Sequence, residues 1–142
     1  MRSMGLDISN RAVGVSLSDE LNILATPLRT IKREKGYRKV MAEIRDIVRE
    51  HQVAQIIVGL PLLPDGTKGD RARECEDFVK LLRGFIRIPI HYQDERYTTA
   101  EAKSILNEMG RSGSDGKADV DSLAATIILQ EFINQDKKTS LT

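Results

Sequence analysis

Hydrophobic and polar residues alternate near the start of the chain in the pattern of a β-hairpin. Val13, Val15 and Leu17 alternate with small residues, which is the period of two expected for a strand with one buried face. A short apolar run precedes them, and Ser9–Asn10 supply turn chemistry between the two runs. The pattern therefore predicts two antiparallel strands joined by a tight turn.

The rest of the chain changes repeatedly between strand and helix periodicity. The predicted strands and helices that follow the hairpin lie, in chain order, at residues 23–30, 36–51, 55–59, 70–83, 86–92, 99–109 and 119–132. Pro27 inside the third strand predicts an edge position or a bulge, because proline lacks the N–H that a central strand needs. The order β-β-β-α-β-α-β-α-α predicts an α/β protein.

Length and composition narrow the class of protein. The 142 residues suit one domain, which we assign to residues 1–134, with a flexible C-terminal tail at 135–142. The net charge of +1, from 22 basic and 21 acidic residues, excludes a globally basic nucleic-acid binder. No run is long enough to span a bilayer and no signal-peptide pattern opens the chain, so we expect a cytoplasmic protein that does not act at a membrane.

The single cysteine, Cys75, excludes an intramolecular disulfide and any zinc site that needs several cysteines. It shares a helical stripe with Ala72, Phe78 and Leu82, so we expect a buried, inert thiol. A reducing compartment suits such a chain.

Asp7 does not fit its surroundings, because Leu6 and Ile8 place it in a strand that should be buried. An isolated charge there would lose several kcal/mol to desolvation. One interpretation is an aspartate that hydrogen-bonds its own turn; the other is a ligand of a divalent metal ion. The small residues at Gly14, Ser16 and Ser18 would leave space for a metal and a phosphate.

Further carboxylates follow at places where strands end and helices begin. Asp94 and Glu95 come after the last predicted strand, and Asp121 shares a stripe with small alanines on the final helix. Asp119 points elsewhere and is the better helix N-cap. Acids at two strand ends and a helix start are the oxygen ligands that a two-metal phosphodiester hydrolase needs. Helix-dipole and capping roles remain the alternatives.

Basic residues gather in one connection and offer candidates for phosphate binding. Residues 29–39 contain a single acid, Glu34, among the cations Arg29, Lys32, Arg33, Lys35, Arg38 and Lys39. The loop at 59–69 precedes a helix and carries Lys68, so it too could bind a phosphate. The alternative for residues 29–39 is a solvated charged surface, and the alternative for the loop at 59–69 is a plain connection between strand and helix.

Four motifs, in order along nearly the whole chain, resemble the YqgF (RuvX) family. They are Gly5-Leu6-Asp7 with Arg11, Gly14-Val15 and Ser18-Asp19; Ile57-Val58-Gly59-Leu60-Pro61 with Asp65-Gly66-Thr67 and Gly69; Asp94-Glu95-Arg96 with Thr98-Thr99; and Asp121 before Ala124-Ala125. Ser9 departs from the pattern, because the family often has glycine at that position.

The resemblance implies a ribonuclease H-like fold, with a mixed five-stranded sheet and helices on both faces. It also implies a nuclease with Mg²⁺ or Mn²⁺ held by Asp7, Glu95 and Asp121. The role assigned in the family is processing of the 5′ end of pre-16S rRNA, and earlier it was resolution of Holliday junctions. On this reading Arg11 and Arg96 contact the scissile or a flanking phosphate, while Lys68 and the cations of 29–39 position the backbone. An ion pair with a neighbouring acid is the alternative for Arg96.

The resulting hypothesis is a metal-dependent nuclease that acts on structured RNA, as a monomer or weak homodimer. The first rival is a resolvase of branched DNA, which a stable two-fold dimer would favour because two strands must be cut symmetrically. A second rival is a non-catalytic RNA-binding module with the same fold. A nucleotide phosphotransferase is a third, which the missing second lobe disfavours.

Overall fold

The computed structural model describes residues 1–95, 104 and 116–140, and side chains at all of these except 35, 116–119 and 137–140. In chain order the described elements are β1 (Arg2–Ile8), β2 (Ala12–Ser18), β3 (Ala25–Lys32), a short 3-10 helix (Arg33–Lys35), α1 (Tyr37–Glu50), β4 (Val53–Leu60), α2 (Asp70–Leu82), β5 (Ile90–Asp94) and α3 (Gly116–Ser140). The helix predicted at 99–109 lies outside the described residues except for residue 104. None of the described helices has both the length and the apolar character that a membrane span requires.

The five strands form one mixed sheet in the order β3-β2-β1-β4-β5. Strands β1, β2 and β3 are antiparallel neighbours, whereas β4 pairs in parallel with both β1 and β5. The predicted mixed sheet is confirmed, and the carboxyl ends of β1, β4 and β5 meet at the same edge.

Strand β3 lies at the edge of the sheet, as Pro27 predicted. The register against β2 shifts between Val15 and Ser16, and Pro27 is the partner of Ser16 just after that shift. The edge position and the irregularity together remove the need for the missing N–H. The strand begins at Ala25 rather than at residue 23, because the Asp19 carboxylate accepts hydrogen bonds from the backbone N–H groups of Ile23 and Leu24 at 2.7 and 3.0 Å.

The two faces of the sheet carry separate cores, which confirms helices on both faces. Met4, Leu6 and Ile8 of β1 are buried with the apolar sides of α1 and α2. On the opposite face, Ile57 of β4 packs with Leu129 and the neighbouring apolar residues of α3. The alternation predicted for the hairpin is confirmed in β2, since Val13, Val15 and Leu17 belong to the first core whereas Gly14 and Ser16 face α3.

Small residues on the sheet allow α3 to approach closely. The Ser16 hydroxyl donates a hydrogen bond to the Ala125 carbonyl at 2.8 Å, and a Cβ on Gly14 would overlap the backbone carbonyl of Asp121. A Cβ on Gly5 would lie 2.6 Å from that same Ala125 oxygen. The expectation that Gly14 and Ser16 leave space for a metal and a phosphate is wrong, because the backbone of α3 fills that space.

Two further boundaries differ from the sequence expectation. Strand β5 begins at Ile90 rather than at residue 86, since the N–H groups of Phe85 and Ile86 bond back to the Leu82 carbonyl and extend the turn after α2. Helix α3 continues past Phe132, where the apolar pattern predicted its end, to Ser140. Helix propensity alone can carry a helix beyond its packed segment. The assignment of 135–142 as a tail stays a prediction.

Candidate active site

Asp7 lies near the carboxyl end of the central strand β1, on the face that α3 covers. Its register partner on β2 is Gly14. The turn that follows is closed by Ser9, whose N–H donates to the Ala12 carbonyl at 2.9 Å and whose hydroxyl accepts from the Ala12 N–H at 3.2 Å. The Asp7 side chain instead hydrogen-bonds with Glu95. Asp7 therefore belongs to a group of acids rather than to the turn.

Glu95 follows β5 directly and reaches Asp7 across the end of β4. A Cβ on Gly59 would overlap its carboxylate, so the absence of a side chain at Gly59 makes room for Glu95. Burial, the charge of Asp7 and the hydrogen bond to Asp7 together raise the pKa of Glu95 to about 7. A hydrogen bond between two carboxyl groups requires that one of them carries a proton, and the raised pKa of Glu95 makes Glu95 the donor and Asp7 the acceptor. On this argument the two acids share one proton.

The pKa of Asp7 is also raised. Burial is the largest cause and the negative charge of Asp121 adds to it, while the hydrogen bond from Glu95 and the positive charge of Arg71 act in the opposite direction. Burial likewise raises the pKa of Asp121, in the second turn of α3. The three predicted acids thus lie in one region, and each is costly to ionise there.

Asp7 and Glu95 form the compact part of this region. Among residues 1–95, 104 and 116–140, no group of three or more His, Cys, Asp or Glu side chains is close enough to hold a metal ion. The pair nevertheless suits a divalent cation. Two buried carboxylates compete for one proton, whereas a divalent cation would balance the charges of both. A third carboxylate ligand would require Asp121 to move toward the pair. The Asp119 side chain is outside the described residues.

Arg71 belongs to this site, and its closeness to the acids was not predicted from the sequence. It lies in the first turn of α2, and its positive charge lowers the pKa of both Asp7 and Glu95. Its only signal in the sequence is its position just after the loop that follows β4. Arg71 is the cation that partly balances the acids.

Cys75 lies one turn further along α2 and is buried, as predicted. Its thiol donates to the Gly59 carbonyl over 3.6 Å. Burial, followed by the charges of Glu95 and Asp7, raises the pKa of this thiol to about 12. Cys75 is therefore a protonated thiol at neutral pH, which excludes it as a nucleophile or thiolate ligand in this state.

Three of the predicted phosphate-binding residues lie near Asp121. Arg11, Lys32 and Arg33 line a cavity of about 690 Å³ whose wall also includes Asp121. The side chains of Arg11 and Lys32 are exposed, and that of Arg33 is half-buried. We call this cavity the α3-side cavity. Cations and an acid of the site line it together, so they share one concave surface.

Arg33 also has contacts outside this cavity, and the remaining predicted phosphate-binding residues lie in different surroundings. Arg33 donates to the Ser9 carbonyl at 2.8 Å and lies over the Phe78 ring, 5.1 Å from its centroid. Lys68 pairs with Glu76 at 2.8 Å, and Arg38 lies over the Tyr37 ring. Arg29, from the same basic run, pairs with Glu43 at 3.7 Å. The Lys35 side chain and the whole of Arg96 lie outside the described residues.

The shared proton predicts how the stability of the metal-free protein depends on pH. Because the pKa of Glu95 is raised to about 7 on folding, the folded state retains a proton that the unfolded state releases near the ordinary value of 4.5. The contribution of Glu95 to stability is therefore complete below about pH 4.5 and is lost as pH rises to about 7. We expect Glu95→Gln to melt close to wild type at pH 4.5 and above it at pH 8, measured in chelator. Glu50→Gln, on the exposed end of α1, is the matched control, and parallel curves for wild type and Glu95→Gln would contradict the shared proton.

Comparisons with known proteins show which family the chain resembles over nearly its whole length. A family model described as "RuvX: Holliday junction resolvase" matches residues 1–135. A protein of Lachnospira eligens named "Putative pre-16S rRNA nuclease" is 40% identical over 140 residues, covering 97% of this chain and 100% of the relative. A protein of Roseiflexus sp. with the same name is 38% identical over 136 residues, covering 96% of each chain.

Solved structures resemble nearly the whole chain in fold. The structure entitled "T. thermophilus RuvC in complex with Holliday junction substrate" has a TM-score of 0.61 at 13% identity, covering 98% of this chain and 97% of that one. At this identity the likeness concerns the fold alone. It confirms the predicted ribonuclease H-like fold.

Proposed function

Because the chain belongs to the RuvX family, we propose that it is a metal-dependent nuclease that processes the 5′ end of pre-16S rRNA. The observation that carries this proposal is the buried, hydrogen-bonded pair of acids Asp7 and Glu95, with Asp121 and Arg71 close enough for their charges to shift the pKa of Asp7. Relatives that match nearly the full length of the chain and are named as pre-16S rRNA nucleases support the RNA substrate.

Asp7 and Glu95 would hold Mg²⁺ or Mn²⁺, with Asp121 as the third carboxylate. When bound, such an ion supplies Lewis acidity and lowers the pKa of a coordinated water. The buried pair is suited to this because each acid is poorly solvated and has a like charge as its neighbour. Asp94 precedes Glu95, and its charge raises the pKa of Glu95. Asp94 is therefore a candidate for assisting the three acids in binding the metal ion.

The cations of the site would bind and orient the nucleic acid. Arg11 and Lys32 share the α3-side cavity with Asp121, so a backbone phosphate held there would lie beside the acids. Arg71 limits the repulsion between the acids before a metal ion binds. The roles of Arg33, Lys35, Arg38, Lys68 and Arg96 in contacting the backbone remain part of the proposal. Action on ribosomal RNA precursors implies a cytoplasmic protein.

A second candidate function is resolution of branched DNA, which the description of the matching family model favours. A resolvase must cut two strands symmetrically, so this function requires a two-fold dimer with two acidic sites facing one junction. The proposed RNA-processing activity needs one site, and a monomer or weak homodimer suffices for it.

The test compares substrates under matched conditions. Labelled RNA carrying the 5′ leader of pre-16S rRNA, a four-way DNA junction, and linear RNA and DNA duplexes are each incubated with the full chain in Mg²⁺, Mn²⁺ or chelator. We expect metal-dependent cleavage of the leader RNA and no cleavage in chelator. Symmetrical cleavage of the junction by a dimer would support the resolvase instead. Binding of RNA without cleavage in either metal would support a non-catalytic module.

A further inference from the structure

We propose that the cavity between the turn after β1 and the first turns of α2 binds one phosphate group of a nucleic-acid chain. This pocket, which we call the α2-side cavity, lies across the Ser9–Arg11 turn from the α3-side cavity. The proposal rests on the proposed function, because it treats the bound phosphate as part of the nuclease substrate.

Three arginines from three separate elements line the α2-side cavity. Arg11 comes from the hairpin turn, Arg33 from the short helix after β3, and Arg71 from the start of α2. Glu74 is the one carboxylate among the described residues that line it. Guanidinium groups that converge from different elements are suited to a phosphate, since each can donate two hydrogen bonds in one plane.

The pocket is partly organised before any ligand binds. The Arg33 guanidinium is held by its hydrogen bond of 2.8 Å to the Ser9 carbonyl and by the face of Phe78. A guanidinium that is already fixed loses less side-chain entropy when it binds an anion than a freely rotating one. Arg33 therefore acts both as a wall of the pocket and as a support for the turn that carries Arg11.

The dimensions and chemistry of the pocket favour a phosphate group over a base. The cavity measures about 260 Å³, much smaller than the α3-side cavity of about 690 Å³. Its described lining includes no aromatic ring on which a base could stack. Recognition there is consequently electrostatic and independent of sequence.

The hairpin turn lies between this pocket and Asp121, whereas Arg71 places the pocket next to Asp7 and Glu95. Asn10, Arg11 and Arg33 line both cavities, whereas Asp121 and Lys32 line only the α3-side cavity. Arg71 and Glu74 line only the α2-side cavity. A phosphate on the α2 side would thus be held on the opposite side of the turn from Asp121, and beside the residue whose charge acts on Asp7 and Glu95.

The experiment measures binding without cleavage. A short single-stranded RNA, with either a 5′-phosphate or a 5′-hydroxyl, is titrated with the full chain in chelator, and its fluorescence anisotropy is followed. We expect Arg71→Gln to weaken binding roughly tenfold or more, as for the loss of a charge-assisted hydrogen bond. Arg73→Gln removes the same charge two residues along α2, at an exposed position that does not line the cavity, and should change affinity by much less.

A second substitution, expected to strengthen RNA binding, distinguishes binding in this pocket from a general effect of surface charge. Glu74→Gln should strengthen binding by roughly twofold to fivefold, the range expected for one exposed charge pair. Asp77→Asn, exposed on the same helix but outside the cavity, should leave the affinity for RNA almost unchanged. Melting curves of each variant check that the fold is intact.

The outcomes are distinguishable. Selective loss with Arg71→Gln, together with a gain from Glu74→Gln, supports the pocket. If the variants remove a preference for the 5′-phosphate, the ligand is a terminal phosphate; if they weaken both RNAs equally, it is an internal phosphodiester. Equal effects of Arg71→Gln and Arg73→Gln, or none, would overturn the pocket and leave the nuclease proposal standing. A pocket that binds as expected in a protein that cleaves nothing in Mg²⁺ or Mn²⁺ would overturn the nuclease proposal alone.

Discussion

Replacing Asp7 by asparagine should abolish metal-dependent cleavage while leaving the metal-free fold intact. The loss should exceed roughly a hundredfold, since even the outer partners of metal ligands cost 10 to 100-fold when they are mutated. The amide keeps the shape of the side chain but lacks the charge that a divalent cation requires. Initial rates on the leader RNA, in Mg²⁺ and in Mn²⁺, measure this effect.

The same variant should be at least as stable as wild type in chelator. Asp7 and Glu95 compete for one proton, and Asp121 adds a third negative charge to the region, so removing a charge at position 7 relieves repulsion. An amide at position 7 can also donate a hydrogen bond to Glu95. Asp46→Asn, exposed on α1, is the matched control for the loss of one carboxylate. A large drop in the melting temperature of Asp7→Asn would show that Asp7 is a structural residue, and intact cleavage would remove it from the site.

The positions of Asp7 and Glu95 could be predicted from the sequence, because both depend on where strands end. Asp7 stands out because a carboxylate in an apolar strand needs a partner, and Glu95 follows the last predicted strand. Once β1, β4 and β5 are parallel, their carboxyl ends meet at one edge. The contact between Asp7 and Glu95 is therefore a consequence of topology, which the order of elements already restricted.

The contacts of the small residues could not be predicted in the same way. Sequence gives the size of a side chain but not the identity of what fills the space above it. Gly14 and Ser16 were compatible with a metal and phosphate or with a closely packed helix, and α3 occupies that face. Gly59, on the same face, makes room for a side chain of the site, namely Glu95.

The contacts of the basic residues could not be predicted from the sequence either. The basic residues of 29–39 are equivalent in sequence, yet Arg29 pairs with Glu43, Arg33 supports the hairpin turn, and Lys32 lines the α3-side cavity. Arg71 reaches the acids because of the way α2 packs at the end of β4. Exposed polar positions on an amphipathic helix have no periodicity that separates a site residue from a solvated one.

Gly14→Ala should both destabilise the protein and impair cleavage. The added methyl group would overlap the backbone carbonyl of Asp121, which cannot rotate away as a flexible side chain could. We expect the free energy of unfolding to fall by roughly 1–3 kcal/mol, the usual cost of overpacking, and toward the upper end because the contact is with backbone. Urea denaturation in chelator measures this loss.

The loss of cleavage should be larger than the loss of folded protein, because α3 must move away from β2 and carry Asp121 with it. Cleavage is therefore measured at a temperature where circular dichroism shows the variant to be fully folded. Gly69→Ala is the control for stability, since the three atoms nearest to its added Cβ, at 3.1–3.3 Å, all belong to the side chain of Leu63, which can rotate. A Gly14→Ala variant with wild-type stability would mean that α3 does not pack on β2 as closely as described. A variant that is destabilised but cleaves normally when folded would instead separate the packing of α3 from the position of Asp121, and would exclude Asp121 from the catalytic acids.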